Sequence, residues 1–270
     1  MMEQASNDAR SRLVDSDTAI QLPEPRNFKG EVMRKVFAIC LTAVFVAASV
    51  VPAFASDETN RLKESGEVLK EVLNVPEDIP QDLLDKAECV IVFPSVKKAA
   101  FIVGASYGRG AMSCRTGPNW GGHWGAPVMM ALEGGSFGLQ IGVQSTDFVI
   151  LVMNGRGANS ILSSKVKLGA DASIAAGPKG RNASADTDLY MRAEMLSYSR
   201  AQGIFIGVSL AGSTLRPDGD ANKAIYGESV NAKELVHNPT MAIPPAARLM
   251  VKTLNRRSPT NHSDPKALQD

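Results

Sequence analysis

The residues with the clearest chemical potential are two serines, each flanked by glycines. Gly134-Gly135-Ser136-Phe137-Gly138 and Gly104-Ala105-Ser106-Tyr107-Gly108 both spell G-x-S-x-G. That pattern presents a serine for acyl transfer at a sharp strand-to-helix turn. It needs a helix after the serine and a histidine base within reach. After Ser136 comes FGLQIGVQ, which alternates with period 2, and after Ser106 comes YGRGAMSC, no better as a helix. His123, in a glycine-rich loop, is the histidine placed to act as base, and neither Asp147 nor Asp171 has a spacing that would orient it. No catalytic residue is therefore expected. Asp147, ahead of the apolar FVILVM, is either a turn former or a buried acceptor.

Metal and redox chemistry fare similarly. His123, His237 and His262 are far apart, and no C-x-x-C occurs, so neither a metal nor another cofactor is expected. Cys89 and Cys114 either form one disulfide, closing a loop of about 25 residues, or stay as two buried thiols.

The elements that must position these residues are legible from periodicity. In NRLKESGEVLKEVL, residues 60–73, Leu62, Leu69, Val72 and Leu73 share one helical stripe. A second short helix follows Pro80. From Cys89 the period shortens to 2. Leu139, Ile141 and Val143 alternate with polar residues or glycine, as do Val166, Leu168, Ala170, Ala172, Ile174 and Ala176. Ile204, Ile206, Val208 and Leu210 oppose Gly203, Phe205, Gly207 and Ser209. PVMMAL and FVILVM are apolar on both faces and read as central strands. RTGPNWGGHWG and AGPKGRNAS are turn clusters. GANSILSSK reads as a helical turn, with short helices near Ala232 and over 246–254. The expected class is α+β: mainly antiparallel β, as a curved sheet, sandwich or barrel, with N-terminal helices and short C-terminal helices.

Before Cys89 the chain carries an export signal. Arg34 and Lys35 precede VFAICLTAVFVAASVV, which leads to Ala53-Phe54-Ala55. Basic flank, short apolar core and A-x-A exit predict cleavage after Ala55 and a periplasmic or secreted protein. Residues 1–32 are polar and aperiodic, and translation is expected to begin at Met33. The domain plan is an extension over 1–32, a signal peptide over 33–55, one domain over 56–255 and a disordered tail over 256–270. The mature chain of 270 − 55 = 215 residues suffices for one substantial core.

The glycines follow parity. Gly104, Gly108 and Gly110 share one side of a strand, as do Gly134, Gly138 and Gly142, and Gly203 and Gly207. Glycine weakens a strand and is tolerated where backbones approach closely or bend. Two readings follow: tight packing or barrel closure, or a bare groove for something long and flat, such as an acyl chain.

GASYGRGAM, WGAPVMMALEGGSFGLQIGVQSTDFVILVMN, LGADASIAAGPKGRNA and LSYSRAQGIFIGVSLAGSTL, with AIYG beyond, resemble the SYLF domain in order and spacing from about Arg61 to Val230. The resemblance implies a non-enzymatic domain that binds membrane lipid. Its eukaryotic relatives bind phosphoinositides and, in yeast, actin filaments. With an export signal and no SH3 or FYVE domain, this chain is similar to the bacterial exported branch. The N-terminal helix, basic in some relatives, here balances Arg61, Lys63 and Lys70 with Glu64, Glu67 and Glu71.

Net charge is +1, so no long-range steering follows. Between Val96 and Arg181, however, nine basic residues face three acidic ones, 9 − 3 = +6. Lys97, Lys98, Arg109, Lys179 and Arg181 are candidates for a cationic rim that holds lipid phosphate; otherwise they are solvated surface charges. Trp120 and Trp124 are either interfacial anchors or core residues covering the glycine face. The candidate bare face comprises Gly104, Gly108, Gly138, Gly142, Gly203 and Gly207. The expected function is an exported phospholipid-binding protein with no nucleic-acid partner. The alternatives are an envelope module recognising protein or peptidoglycan, and a secreted serine hydrolase.

Overall fold

The computed structural model describes residues 53–75, 79–178, 193–201, 204–227 and 230–263. The extension, the basic flank and the apolar run lie outside them.

Helix α1, Ala53–Val72, starts upstream of the predicted stripe and includes Ala53-Phe54-Ala55. Leu62, Leu69 and Val72 are buried along it. Pro80 precedes the short α2, Gln81–Lys86. The two runs apolar on both faces then prove to be arms of one hairpin. Strand β1, Cys89–Cys114, pairs antiparallel with β2, Val128–Val152, from Cys89↔Val152 to Met112↔Val128. Typical strands hold about six residues, so a hairpin this long must bend. Register shifts between Phe93 and Val96, and between Phe101 and Val103, interrupt the ladder. The two ends of β1 then meet. Cys89 and Cys114 are disulfide-bonded, and the Arg115 amide donates to the Glu88 carbonyl at 2.9 Å.

Five shorter strands extend the sheet: β3 (Val166–Lys167), β4 (Ile174–Ala176), β5 (Met195–Ala201), β6 (Ile204–Gly207) and β7 (Thr214–Pro217). The order is β3-β7-β2-β5-β4, with β1 on β2 and β6 on β5. Every pair is antiparallel except β4 with β5. The fold is thus α+β with a curled, mainly antiparallel sheet, as expected.

Alternation along the central arms buries both faces. Val90, Val92, Val149 and Leu151 join Leu62, Leu69, Leu84 and Leu254 in one core. Ile91, Phe93, Ile150 and Val152 join Ile161, Leu235 and Met130 in the other. The first core is covered by α1, α2 and α6 (Arg248–Arg257), the second by α3 (Gly155–Ser163) and α5 (Ala232–His237). Each wholly buried leucine contributes about 2 kcal/mol by leaving water. Helix starts are set by side-chain caps. Asn154 accepts from the Gly157 amide at 2.8 Å, and Asp218 accepts from Ala221 at the start of α4, Gly219–Tyr226.

Three expectations are corrected. The alternating run 166–176 is not one strand. Gly169 at φ 83° turns the chain, and the Asp171 carboxylate accepts from the Lys167 amide at 2.7 Å. The apolar set of the later strand faces outward: Ile204 and Ile206 are 63% and 46% exposed, while Phe205 is buried and stacked on Tyr198 at 5.2 Å. Finally, the polar terminus is held in place through 263. Trp124 Nε1 donates to the Ser258 carbonyl at 2.8 Å, and the His262 amide to the Asp85 carbonyl at 2.8 Å. Buried polar groups that need partners recruit a segment too polar to form a core.

Candidate functional site

On the curled sheet, a cleft of about 240 Å³ opens between β1, β2 and the chain linking β6 to β7. Val96, Phe148, Val208 and Leu210 give it apolar walls, and Ser106, Thr146, Ser209 and Ser213 bring hydroxyls. Gly134 and Gly135 also line it. A Cβ at Gly134 would stand 2.5 Å from Ser106 Oγ and 3.0 Å from Ser213 Oγ, whereas at Gly135 it would meet nothing within 4 Å. Any larger residue at 134 would displace both hydroxyls.

Lys98 is the charged residue of the lining, and no carboxylate or histidine accompanies it. It is half-buried and has no ion-pair partner among the described residues. A half-buried lysine in a lining that also carries hydroxyls and apolar walls suits an anionic group with an apolar tail. Neither histidine nor carboxylate stands beside Ser106 in this lining, and the arrangement suits binding.

Lys97 and Arg109, the other rim candidates among the described residues, do not line the cleft. Lys97 is exposed, with Nζ 3.3 Å from Ser145 Oγ. Arg109 is committed to two buried carboxylates, donating from Nη1 to Glu58 at 2.7 Å and from Nε to Asp218 at 2.6 Å. The hydrogen bond to Asp218 raises its pKa further. Arg109 therefore ties α1 to the α4 cap and is no headgroup ligand. Lys179 and Arg181 lie outside the described residues.

Neither tryptophan is an interfacial anchor. Trp124 is wholly buried, with the Arg115 guanidinium 4.5 Å above its ring. Trp120 is 7% exposed and packs on His237 at 5.0 Å. His123 hydrogen-bonds within its own loop, its Nδ1 lying 3.3 Å from the Trp124 carbonyl. Asp147 is an acceptor, taking bonds from the Ser95 amide at 2.8 Å and from Arg200 at 2.7 and 3.0 Å.

Where its surroundings are described, at Gly108 and Gly207, the predicted bare wall shows close approaches, as does Gly110 beside it. A Cβ on Gly108 would stand 2.5 Å from Val96 Cγ2, on Gly110 2.0 Å from the Val92 carbonyl oxygen, and on Gly207 1.9 Å from the Gly177 carbonyl oxygen. Gly104 is buried and pairs with Ser136. Gly142 pairs with Ala100; the surroundings of Gly138 and Gly142, the Ser136 side chain and Gly203 lie outside the described residues. The glycines that do line the cleft, Gly134 and Gly135, come from the G-x-S-x-G match around Ser136. Among the cleft hydroxyls, Ser209 and Ser213 carried no local signal, because only the return of the β6–β7 link brings them there.

Behind the disulfide sits a second polar cluster. Glu88 accepts from Asn261 Nδ2 and Ser263 Oγ, both at 2.8 Å. Burial pushes its carboxyl up to about 7, against the opposing pull of those hydrogen bonds and of Arg115. Arg115 is fully buried, donating to the Ala87 carbonyl at 3.1 Å and Ser258 Oγ at 2.6 Å, and burial lowers its pKa. This cluster fastens the terminus and lines no part of the cleft described above.

The family model described as "Ysc84: Las17-binding protein actin regulator" matches residues 133–257. An SH3 domain-containing protein of Schizosaccharomyces pombe is 35% identical over 205 residues, covering 72% of this chain and 46% of that protein. Protein YSC84 of Saccharomyces cerevisiae is 29% identical over 217 residues, 77% of this chain and 45% of its own length. The SH3 domain-containing YSC84-like protein 1 of Homo sapiens is 29% identical over 192 residues, 68% and 55%. The chain spans about half the length of these curated relatives.

Proposed function

This chain belongs to the Ysc84 (SYLF) family, and on that premise we propose that it is a non-enzymatic module binding anionic phospholipid at a membrane surface. The observation that carries this is Lys98: a half-buried cation without a carboxylate partner among the described residues, at an apolar-walled cleft edged with hydroxyls. The ammonium and hydroxyls take the phosphate, and Val96, Phe148 and Leu210 take the start of an acyl chain. The wording of the family description, a binding protein and actin regulator, supports the wider class of regulatory binding module. The chain is proposed to act outside the cytoplasm, in the periplasm or secreted. Supporting this are the Arg34-Lys35 flank, the apolar run and the Cys89–Cys114 bond, of a kind that oxidising compartments preserve.

The test is flotation of the full chain with anionic and with neutral vesicles, using Lys98→Glu beside the wild type. The difference between the two vesicle types isolates the cleft from any contribution of the apolar run. One lysine near an anionic surface is worth about 1 kcal/mol, so the charge reversal should cost at least about fivefold on anionic vesicles and little on neutral ones. Equal flotation of the wild type on both would refute the proposal.

A further inference from the structure

Ile204 and Ile206 are large apolar side chains left in water, 63% and 46% exposed, on a strand that pairs with β5. Directly paired residues of an antiparallel ladder project to the same side, as do residues two apart on a strand. Phe148 pairs with Ser199 and Ser199 with Ile206, so Phe148 and Ile206 share a face. Thr146 and Val96 pair on β2 and β1, two residues from Phe148 and Lys98 respectively, and belong to that face. Val96, Lys98, Thr146 and Phe148 all line the cleft. The exposed isoleucines therefore stand on the cleft's own side of the sheet, two strand spacings from β2, or about 10 Å. The chain leaving them, Val208 to Ala211, forms the cleft's opposite edge. Phe205, between them, points into the core. Asp147 and Arg200, on the other face, pair with each other.

We propose that Ile204 and Ile206 form an apolar lip that enters the acyl layer of an anionic bilayer while Lys98 engages a lipid phosphate in the adjoining cleft. The proposal rests on the phospholipid reading above and adds how the domain sits on the membrane. Charge selects the occupant. The cation sharing this face has no ion-pair partner among the described residues and the cleft lining carries no carboxylate, so a negatively charged surface is favoured over a neutral apolar partner. Two isoleucines on the cleft's side of the sheet, on a strand separate from the phosphate site at Lys98 on β1, suit an interfacially bound protein that sets apolar side chains below the headgroups.

The experiment uses the full chain with Ile206→Trp, a change on an exposed side chain, and phosphatidylglycerol vesicles brominated on the acyl chain. Trp120 and Trp124 are buried, so the added emission reports position 206. Quenching of that emission is the expected result. A chain that co-sediments with vesicles while the added indole stays unquenched overturns the lip. In the double variant Ile204→Asp, Ile206→Asp, vesicle partition should fall by about thirtyfold, as the exposed parts of two isoleucines no longer leave water. Unchanged partition also overturns it. Titration with sub-micellar dihexanoyl phosphatidylglycerol separates the two proposals. If the short lipid binds but the indole stays unquenched, the lip fails and the cleft stands. If the indole is quenched but no short lipid binds, the cleft fails and the lip stands.

Discussion

Replacing Glu88 by glutamine should make the stability of this protein less dependent on pH. Glu88 is 4% exposed, and burial raises its carboxyl from an ordinary 4.5 to about 7 in the folded chain. Between those values the native state holds a proton that the unfolded chain has released. Stability therefore falls as pH rises through that window, and the loss is complete above about 7. At about 1.4 kcal/mol per tenfold change in proton affinity the ceiling is about 3 kcal/mol, and screening by water at the cluster's edge reduces it to about 2 kcal/mol. Glutamine resembles the protonated side chain: it keeps an acceptor for Asn261 and offers an amide to the Ser263 hydroxyl. Variant and wild type should be nearly equal in stability near pH 4.5, and at pH 8 the variant should be more stable by about 2 kcal/mol. Urea unfolding of both proteins at the two pH values measures the double difference. A stability gap that is the same at both would show that Glu88 titrates normally and that the cluster is not dry.

Two further outcomes concern the bent hairpin. Gly110→Ala would set a methyl 2.0 Å from the Val92 carbonyl oxygen and 2.9 Å from Phe93 Cα, both backbone atoms, so about 3 kcal/mol or more should be lost, read as a drop in Tm. Replacing Cys89 and Cys114 together by serine opens a link across 25 residues and should cost about 3 kcal/mol in denaturant unfolding, with the urea midpoint of the oxidised wild type as reference.

Much of the fold could be read from period and punctuation. The stripe Leu62, Leu69, Val72 and the two-sided runs around Met129 and Ile150 follow from which faces must leave water, and burial agrees with them. Helix α4 has no counterpart among the elements that periodicity predicts, although Asp218 before Gly219 and Gly227 at φ 79° are ordinary start and stop signals. Its eight residues have too little apolar period to stand out. The alternation at 166–176 misled because a turn held by Asp171 can carry the same apolar spacing as a strand.

The cleft was far less legible. Of the five rim candidates, Lys98 lines it, Lys97 lies exposed nearby and Arg109 is spent on Glu58 and Asp218, whose positions 51 residues before and 109 after no local pattern connects to it. Trp124 is held in the core by Ser258 and Arg115, and Trp120 packs on His237, partners that only the tertiary fold brings together.

Composition and order of residues by themselves determined the class of fold, the sided strands and the shared parity of the glycines, because these depend on a residue and its near neighbours. Only the tertiary structure decided which glycines are filled against a neighbour and which stay open, which cations meet carboxylates, and which face Ile204 and Ile206 share with Lys98. Those outcomes depend on where a 26-residue strand bends and what it then lies against, and the energies of charge pairing and packing act through space rather than along the chain.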